Sequence, residues 1–339
     1  VRQLCLVLAI SLTSSTLVTA CGGDDEALRD AGGATPDAEV TTPDADTTPQ
    51  PSVARGEYLV EHVAACGDCH TPRLKTGAPD LDNYLAGVEC FIDVNGPDAG
   101  GCLHSRNLTD HATGLANRSD DEIKTMFQDG IRPNGEALVS VMPYWIFHNL
   151  SDVDADSIVM YLRTVPGVDH TVPASDPPWT PPLVAAPAFD LDDMPAPATT
   201  SDEKELGRYL ATLACVDCHT ARTDMNDFRS LDMTKLLAGG NGFPREMLGL
   251  GDPFPAVIFT SNLTPHATGL DGWTAAEIIA VLHDGVDPEG DLVCPPMPGG
   301  QMAPFGGLTD DDAEAIAAYL MDIAGIDNAI PNGCAIPSP

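Results

Sequence analysis

Basic residues are scarce in this chain. Lysine and arginine together number 16 against 51 aspartates and glutamates, a formal net charge of −35 over 339 residues. Such an excess of acid excludes bare nucleic acid as a partner. Aromatic residues are also few, at 5%, fewer than a core built only from its own side chains would use, unless it closes around some other large apolar body. Beyond residue 20 no apolar run is long enough to span a bilayer. Strand-like alternation is weak throughout, which argues against a β architecture. What is present is ordinary hydrophobic content, 43%, and length enough for two domains of roughly 100–150 residues.

The N-terminus reads as a targeting segment. Arg2 supplies a short positive region, and an apolar run starts at Leu4 and continues, diluted by Ser and Thr, to Ala20. This is the form of a secretory signal peptide over residues 1–20, so export is expected. The run ends Leu17-Val18-Thr19-Ala20-Cys21, which resembles the bacterial lipoprotein box. Cys21 is therefore the expected lipidation site, anchoring the chain to a bacterial membrane facing the periplasm or the outside. Plain secretion as a soluble periplasmic protein is the alternative. Residues 21–52, rich in Asp, Thr, Pro, Ala and Gly, have too few large apolar residues to fold and read as a disordered tether. Residues 166–200, with Pro-Pro at 177–178 and 181–182, read as a Pro-rich linker.

The two remaining segments repeat each other. Asn107-Leu108-Thr109-Asp110-His111-Ala112-Thr113-Gly114-Leu115 recurs as Asn262-Leu263-Thr264-Pro265-His266-Ala267-Thr268-Gly269-Leu270. The same register carries Glu122 onto Glu277, Gly130 onto Gly285 and Met142-Pro143 onto Met297-Pro298. A self-match of this length implies duplication of one structural unit, here 53–165 and 201–334, with 335–339 as a tail. Each unit has a first helix (55–65 and 203–214), a Gly- and Pro-rich irregular stretch, a middle helix and a closing helix. Ser119 with Glu122, and Thr274 with Glu277, are capping boxes for the middle helices. Ser151 and Thr309 start the closing ones. The expected fold is all-α, in two tandem domains.

Directly after each first helix stands the motif that carries chemistry: Cys66-Gly67-Asp68-Cys69-His70 and Cys215-Val216-Asp217-Cys218-His219. C-x-x-C-H is the attachment signature of c-type haem. Two cysteines three apart reach the vinyl groups along one edge of a porphyrin, and the adjacent histidine is held beneath the ring to ligate iron. Cys66, Cys69, Cys215 and Cys218 are thus the expected thioether residues, with His70 and His219 as axial ligands. A zinc site or a redox dithiol would leave both adjacent histidines and the export signal as coincidences. The opposite axial ligand is expected from methionine. Met142 stands before the first closing helix. Its gapless equivalent is Met297, with Met302 as the competitor because three residues are inserted after Met297. His111 and His266 read as loop-shaping residues. Of the other cysteines, Cys5 leaves with the signal, and Cys90 with Cys102 and Cys294 with Cys334 form two pairs, each inside one unit, suited to disulfides in an exported chain.

Taken together the chain resembles a class I cytochrome c duplicated in one polypeptide. The resemblance rests on Gly-x-Tyr in the first helix (Gly56/Tyr58, Gly207/Tyr209), C-x-x-C-H, Met-Pro before the last helix, and an aromatic within it (Tyr161, Tyr319). It implies that first and last helices cross at Gly56 and Gly207 against those tyrosines. The units are also similar to the cytochrome c subunits of membrane alcohol and sugar dehydrogenases. That likeness implies electron relay from a dehydrogenase or other redox protein donor to a downstream acceptor; the two motifs imply two haem c groups, His and Met on both irons would leave no catalytic residue in the chain, and the expected membrane contact is the lipid anchor at Cys21 alone. Extra cysteine pairs and a long insert at 80–103 set it apart from that family. The rival expectation is a di-haem redox enzyme, of peroxidase or thiosulfate-oxidising type, with one open or displaceable axial position.

Overall fold

Each half begins where a side-chain oxygen satisfies the free N–H groups of a first helical turn. In the first half Ser52 accepts from the Arg55 N–H and starts α1 (Val53–Tyr58), which continues as a π-helical turn, Leu59–Val63. Then come α2 (Cys66–His70), a hairpin of β1 (Val88–Asp93) and β2 (Cys102–Ser105), α3 (Asp120–Asp129), a short α4 (Tyr144–Phe147) and α5 (Asp152–Leu162). The second half repeats the order. Asp202 caps α6 (Glu203–Ala214), followed by α7 (Val216–His219), β3 (Gly242–Pro244), β4 (Val257–Phe259), α8 (Ala275–Asp284), β5 (Leu292–Val293), α9 (Asp310–Asp322) and β6 (Ala335–Ile336). The computed structural model describes residues 49–96, 99–180, 201–224, 227–245, 248, 250, 254–297, 304–331 and 335–336. The expected signal peptide, Cys21, the tether up to 48, linker residues 181–200, Met302, Cys334 and 337–339 lie outside the described residues.

The caps read from sequence are present. Ser119/Glu122 and Thr274/Glu277 form complete capping boxes. Ser151 and Thr309 each accept from an N–H of the first turn. α3 and α8 stop at Gly130 and Gly285, whose positive φ values of 69° and 67° suit glycine. In each half the first helix crosses the last at a glycine. A β-carbon on Gly56 would lie 1.8 Å from the Ser157 carbonyl oxygen and 2.8 Å from Tyr161 Cβ. On Gly207 it would lie 1.8 Å from the Ala315 oxygen and 2.9 Å from Tyr319 Cβ. The crossing implied by the class I resemblance is therefore the one observed.

The fold is helical but not free of strands. Among the described residues three antiparallel pairs, β1 with β2, β3 with β4 and β5 with β6, modify the all-α expectation. They are two to six residues long and lie in the Gly- and Pro-rich stretches, where no alternating pattern announced them. Cys90 and Cys102 are joined by a disulfide across the first hairpin. Cys294 is also disulfide-bonded; Cys334, the partner expected from sequence, lies outside the described residues.

Residues 166–180 hold to the first half rather than leaving it. Val168 N–H donates to Thr109 Oγ1 at 3.0 Å, Asn107 Nδ2 donates to the Val168 carbonyl at 2.9 Å, and Trp179 Nε1 donates to the Gly101 carbonyl at 2.9 Å. The second half repeats this: Ile326 N–H donates to Thr264 Oγ1, and Asn262 Nδ2 to the Ile326 carbonyl.

Thr47–Pro339 forms one compact unit, in which the halves meet directly. The Tyr209 hydroxyl donates to Asp154 at 2.9 Å and accepts from the Ser151 N–H at 3.1 Å. In the mirrored contact the Tyr58 hydroxyl donates to Asp312 at 2.5 Å and accepts from the Thr309 N–H at 3.3 Å. Each tyrosine belongs to the Gly-x-Tyr of one half and each acid to the first turn of the other half's closing helix. This reciprocity is that of an isologous, two-fold interface.

Candidate haem-attachment sites

The C-x-x-C-H segments sit on the one-turn helices α2 and α7, immediately after the glycine-crossed first helices. In α2 the turn is entered through Ala65 with φ 50°, a left-handed break that separates it from the preceding helix. His70 and His219 are buried, 9% and 6% exposed. Each ring meets a backbone carbonyl through Nδ1: His70 with Arg106 O at 2.7 Å, His219 with Ser261 O at 2.8 Å. Burial holds both below the ordinary imidazole pKa. A neutral ring facing a carbonyl carries its proton on Nδ1, which leaves the Nε2 lone pair for a metal.

The loops that hold these histidines are duplicated in detail. Gly87 N–H donates to the His70 carbonyl and Gly239 N–H to that of His219. Thr71 and Thr220, both buried, accept through Oγ1 from the N–H groups of Leu85 and Leu237. Those leucines are fully buried and have φ of 58° and 59°. The strained backbone at equivalent positions persists because buried side chains and these threonine contacts over-determine it.

Cys66, Cys69, Cys215 and Cys218 are free thiols. Burial pushes each up to about 12. A redox dithiol has a lowered thiol pKa, so these environments do not suit one. A zinc site would gather its ligands at a point. Among the described residues the compact groups of potential ligands are Cys90, Asp93 and Cys102, and Cys102, His104 and Asp176; none includes a C-x-x-C cysteine. Met142 and Met297 are partly buried against the core at equivalent turns. The Met142 N–H donates to the Val139 carbonyl and the Met297 N–H to the Cys294 carbonyl, both at 3.0 Å. Uncrosslinked thiols and a shielded imidazole with a free Nε2 form, in each half, a donor set that fits covalent haem.

His111 and His266 hold loops. Their Nδ1 atoms meet Thr113 Oγ1 at 2.9 Å and Thr268 Oγ1 at 3.0 Å. Sequence reasoning missed a half-buried ion pair beside the second motif. Arg222, with 2% of its side chain exposed, donates to Asp217 at 2.6 Å and lies over the Phe228 ring. The same spacing at Asp68 and Arg73 was a signal for it, available in the repeat.

Two C-x-x-C-H motifs on a duplicated helical frame, each backed by a shielded imidazole, define a class, the di-haem c-type cytochromes, and the chain is similar to proteins of that class. No protein-family model matches it. It is 28% identical over 297 residues to the gluconate 2-dehydrogenase cytochrome c subunit of Pantoea cypripedii, covering 81% of this chain and 60% of that protein. It is 28% identical to the cytochrome c subunit of the quinone alcohol dehydrogenase of Gluconacetobacter polyoxogenes, over 80% of this chain and 56% of the relative. A shorter match, 31% over 121 residues, is to a diheme cytochrome c-type protein of Cereibacter sphaeroides, 35% of this chain and 37% of that one. The chain thus spans less than two thirds of these relatives' length. No helix among the described residues is long and apolar enough to cross a membrane.

Proposed function

We propose that this chain is an exported electron-transfer protein with two covalently bound c-type haems, relaying electrons from a dehydrogenase or similar redox protein to a downstream acceptor. The observation that carries the reading is the repeated donor set: in each half, free thiols three residues apart and a buried imidazole committed through Nδ1. Cys66 and Cys69, and Cys215 and Cys218, would supply the thioether sulfurs. His70 and His219 would supply imidazole nitrogens to iron. Met142, and Met297 or its competitor Met302, would supply a thioether sulfur. When bound, haem iron supplies reversible one-electron chemistry. The chain's own part is to shield the imidazoles, fix their tautomer through Arg106 and Ser261, and set the potential through ligand and burial. A methionine on both irons leaves no position for substrate, so no residue is assigned a catalytic role.

The similarity to dehydrogenase cytochrome subunits supports a dehydrogenase as donor. The Cys90–Cys102 disulfide supports an oxidising compartment. Lipid attachment at Cys21 would hold the protein to the membrane, and the two halves would be two cytochrome domains. The test is expression with a haem-maturation system, followed by intact mass and pyridine haemochrome analysis. Two covalent haems are expected, falling to one in Cys66→Ser/Cys69→Ser and one in Cys215→Ser/Cys218→Ser. A colourless mature chain overturns the reading. A high-spin ferric signal with peroxide turnover would replace it with the enzyme alternative.

A further inference from the structure

We propose that the first hairpin is a redox-gated metal site. With the Cys90–Cys102 disulfide reduced, Cys90, Cys102, His104 and Asp176 hold a zinc-like divalent ion; with the disulfide formed, they do not. The site lies outside both C-x-x-C-H motifs, goes beyond the electron-transfer reading and does not depend on it.

The donors come from three pieces of chain. In the β1–β2 pair Val88 lies opposite Ser105 and Ile92 opposite Leu103, so Glu89, Cys90 and Phe91 bulge against the single residue His104. Cys90 takes φ 52° in that bulge, and its N–H donates to His104 Nδ1 at 3.0 Å. A backbone N–H can only donate, so Nδ1 is unprotonated and its lone pair points into the hairpin. Cys102 and His104 are two apart on β2 and share a face. Asp176 arrives on the returning segment and is pinned there. Its N–H donates to the Cys102 carbonyl at 2.9 Å, and the Cys102 N–H donates to its Oδ2 at 3.2 Å. Ser175 Oγ accepts from the His104 N–H at 3.1 Å. The donor atoms of Cys102, His104 and Asp176 lie within 4.8 Å of one another, and the Cys90 sulfur is bonded to that of Cys102. Asp93 also lies within that distance of both sulfurs, but it is exposed and its Oδ1 already accepts from the N–H groups of Asn95 and Gly96.

Two thiolates, an imidazole and a carboxylate are a ligand set for tetrahedral zinc, with bonds of about 2.3 Å to sulfur and about 2.0–2.2 Å to nitrogen and oxygen. The metal ligand is the thiolate, and a disulfide offers none. Disulfide and metal are therefore alternative closures of one hairpin. The exchange balances with a dithiol as reductant. The dithiol passes two electrons and two protons to the S–S bond, which breaks into two thiols while the reductant's own sulfurs join. Both thiols then lose their protons to solvent as the ion binds. The second half has neither cysteine nor histidine between 240 and 260, where its β3–β4 hairpin lies. The duplicated frame of the C-x-x-C-H motifs thus does not require these donors.

The experiment uses the full holoprotein and Zn2+. Disulfides are reduced with a dithiol, the reductant is removed anaerobically, and bound zinc is measured in competition with a chromophoric chelator. Cys90→Ser/Cys102→Ser, treated alike, gives the zinc held by every other thiol. The reduced parent should hold one Zn2+ per chain more than this double variant, and the unreduced parent none more. His104→Gln, and Asp176→Asn, which keeps an acceptor for the Cys102 N–H, should each weaken that ion by about tenfold or more while still reforming the disulfide on reoxidation. A reduced parent that holds no more zinc than the double variant overturns the inference. So does equal uptake before and after reduction, or an affinity unchanged in both His104→Gln and Asp176→Asn. A chain without covalent haem would overturn the electron-transfer reading alone, because the double variant still subtracts the motif thiols. If a variant does not fold, amide protection over residues 88–105 in the parent, lost on reduction and restored by Zn2+, decides; protection that zinc does not restore overturns the inference.

Discussion

The Tyr209 hydroxyl of the second half donates a 2.9 Å hydrogen bond to the Asp154 carboxylate of the first. Asp154 is 2% exposed, and its charge is matched by Arg55, which donates to both its oxygens at 2.8 and 3.0 Å. Among the described residues no arginine is hydrogen-bonded to Asp312 in the mirror contact, where the position equivalent to Arg55 is Leu206 and Arg55 itself acts only as a more distant charge. One interface therefore holds two like contacts of unequal electrostatic support.

That inequality predicts an order of stability effects. Asp154→Ala strands the buried Tyr209 hydroxyl and removes the partner of the partly exposed Arg55 guanidinium, a loss of about 3 kcal/mol, at the low end for buried pairs. Asp312→Ala strands only the Tyr58 hydroxyl, a loss of about 1–3 kcal/mol. Denaturant unfolding of the holoprotein variants checks the order, and equal losses would contradict it.

Alkaline pH should loosen the mirrored contact. Burial, reinforced by Asp312, pushes the Tyr58 hydroxyl from its ordinary 10.0 up to about 12. A pKa raised by folding means the unfolded chain loses its proton first. The contribution is full below pH 10 and is lost as pH rises from there through about 12. Subtracting the stability–pH curve of Tyr58→Phe from that of the parent should give a difference that is flat below pH 10 and shrinks above it.

The helix crossings should tolerate nothing larger than glycine. Gly56→Ala and Gly207→Ala each place a methyl 1.8 Å from a backbone carbonyl oxygen. Backbone cannot step aside as a flexible side chain can, so each should cost about 3 kcal/mol or more, at the upper end of overpacking effects. Gly135→Ala, which meets nothing within 4 Å but has φ +83°, should cost only about 1 kcal/mol of backbone strain. Thermal melts of the three variants test the contrast.

The Cys90–Cys102 disulfide closes a loop with a sequence separation of 12. Loop-closure entropy for that length amounts to about 3 kcal/mol. Cys90→Ser/Cys102→Ser should lower stability by up to this amount and release amide protection over residues 88–105. The visible spectrum should not change, because neither cysteine belongs to a C-x-x-C-H motif.

Methionine ligation is checked by the charge-transfer band between methionine sulfur and ferric iron. Met142→Ala should remove half of it. Of Met297→Ala and Met302→Ala, one should remove the other half, and the gapless repeat favours Met297.

Much of the local structure was legible in the residues. The crossing glycines came from the resemblance to class I cytochromes c, whereas the C-x-x-C-H motifs, the capping boxes at Ser119 and Thr274, and the closing-helix caps at Ser151 and Thr309 are written in patterns a few residues long. Their physics is equally short in range: an oxygen reaching an N–H three residues on, or a cysteine spaced to meet the same edge as its neighbour. The duplication was legible for another reason, since a repeated fold preserves repeated constraints such as the Asn107–Thr109 and Asn262–Thr264 loops.

Only the tertiary structure decided how the two copies meet. Asp154 and Tyr209 are 55 residues apart and Tyr58 and Asp312 are 254 apart, and nothing in their neighbours names the partner. The return of residues 166–180 onto the first half, the short hairpins in the irregular stretches and the burial of Arg222 beside Asp217 belong to the same group. Each depends on which surfaces remain uncovered once the helices have formed, and burial of charge and hydroxyl is set by the whole packed assembly rather than by any stretch of chain.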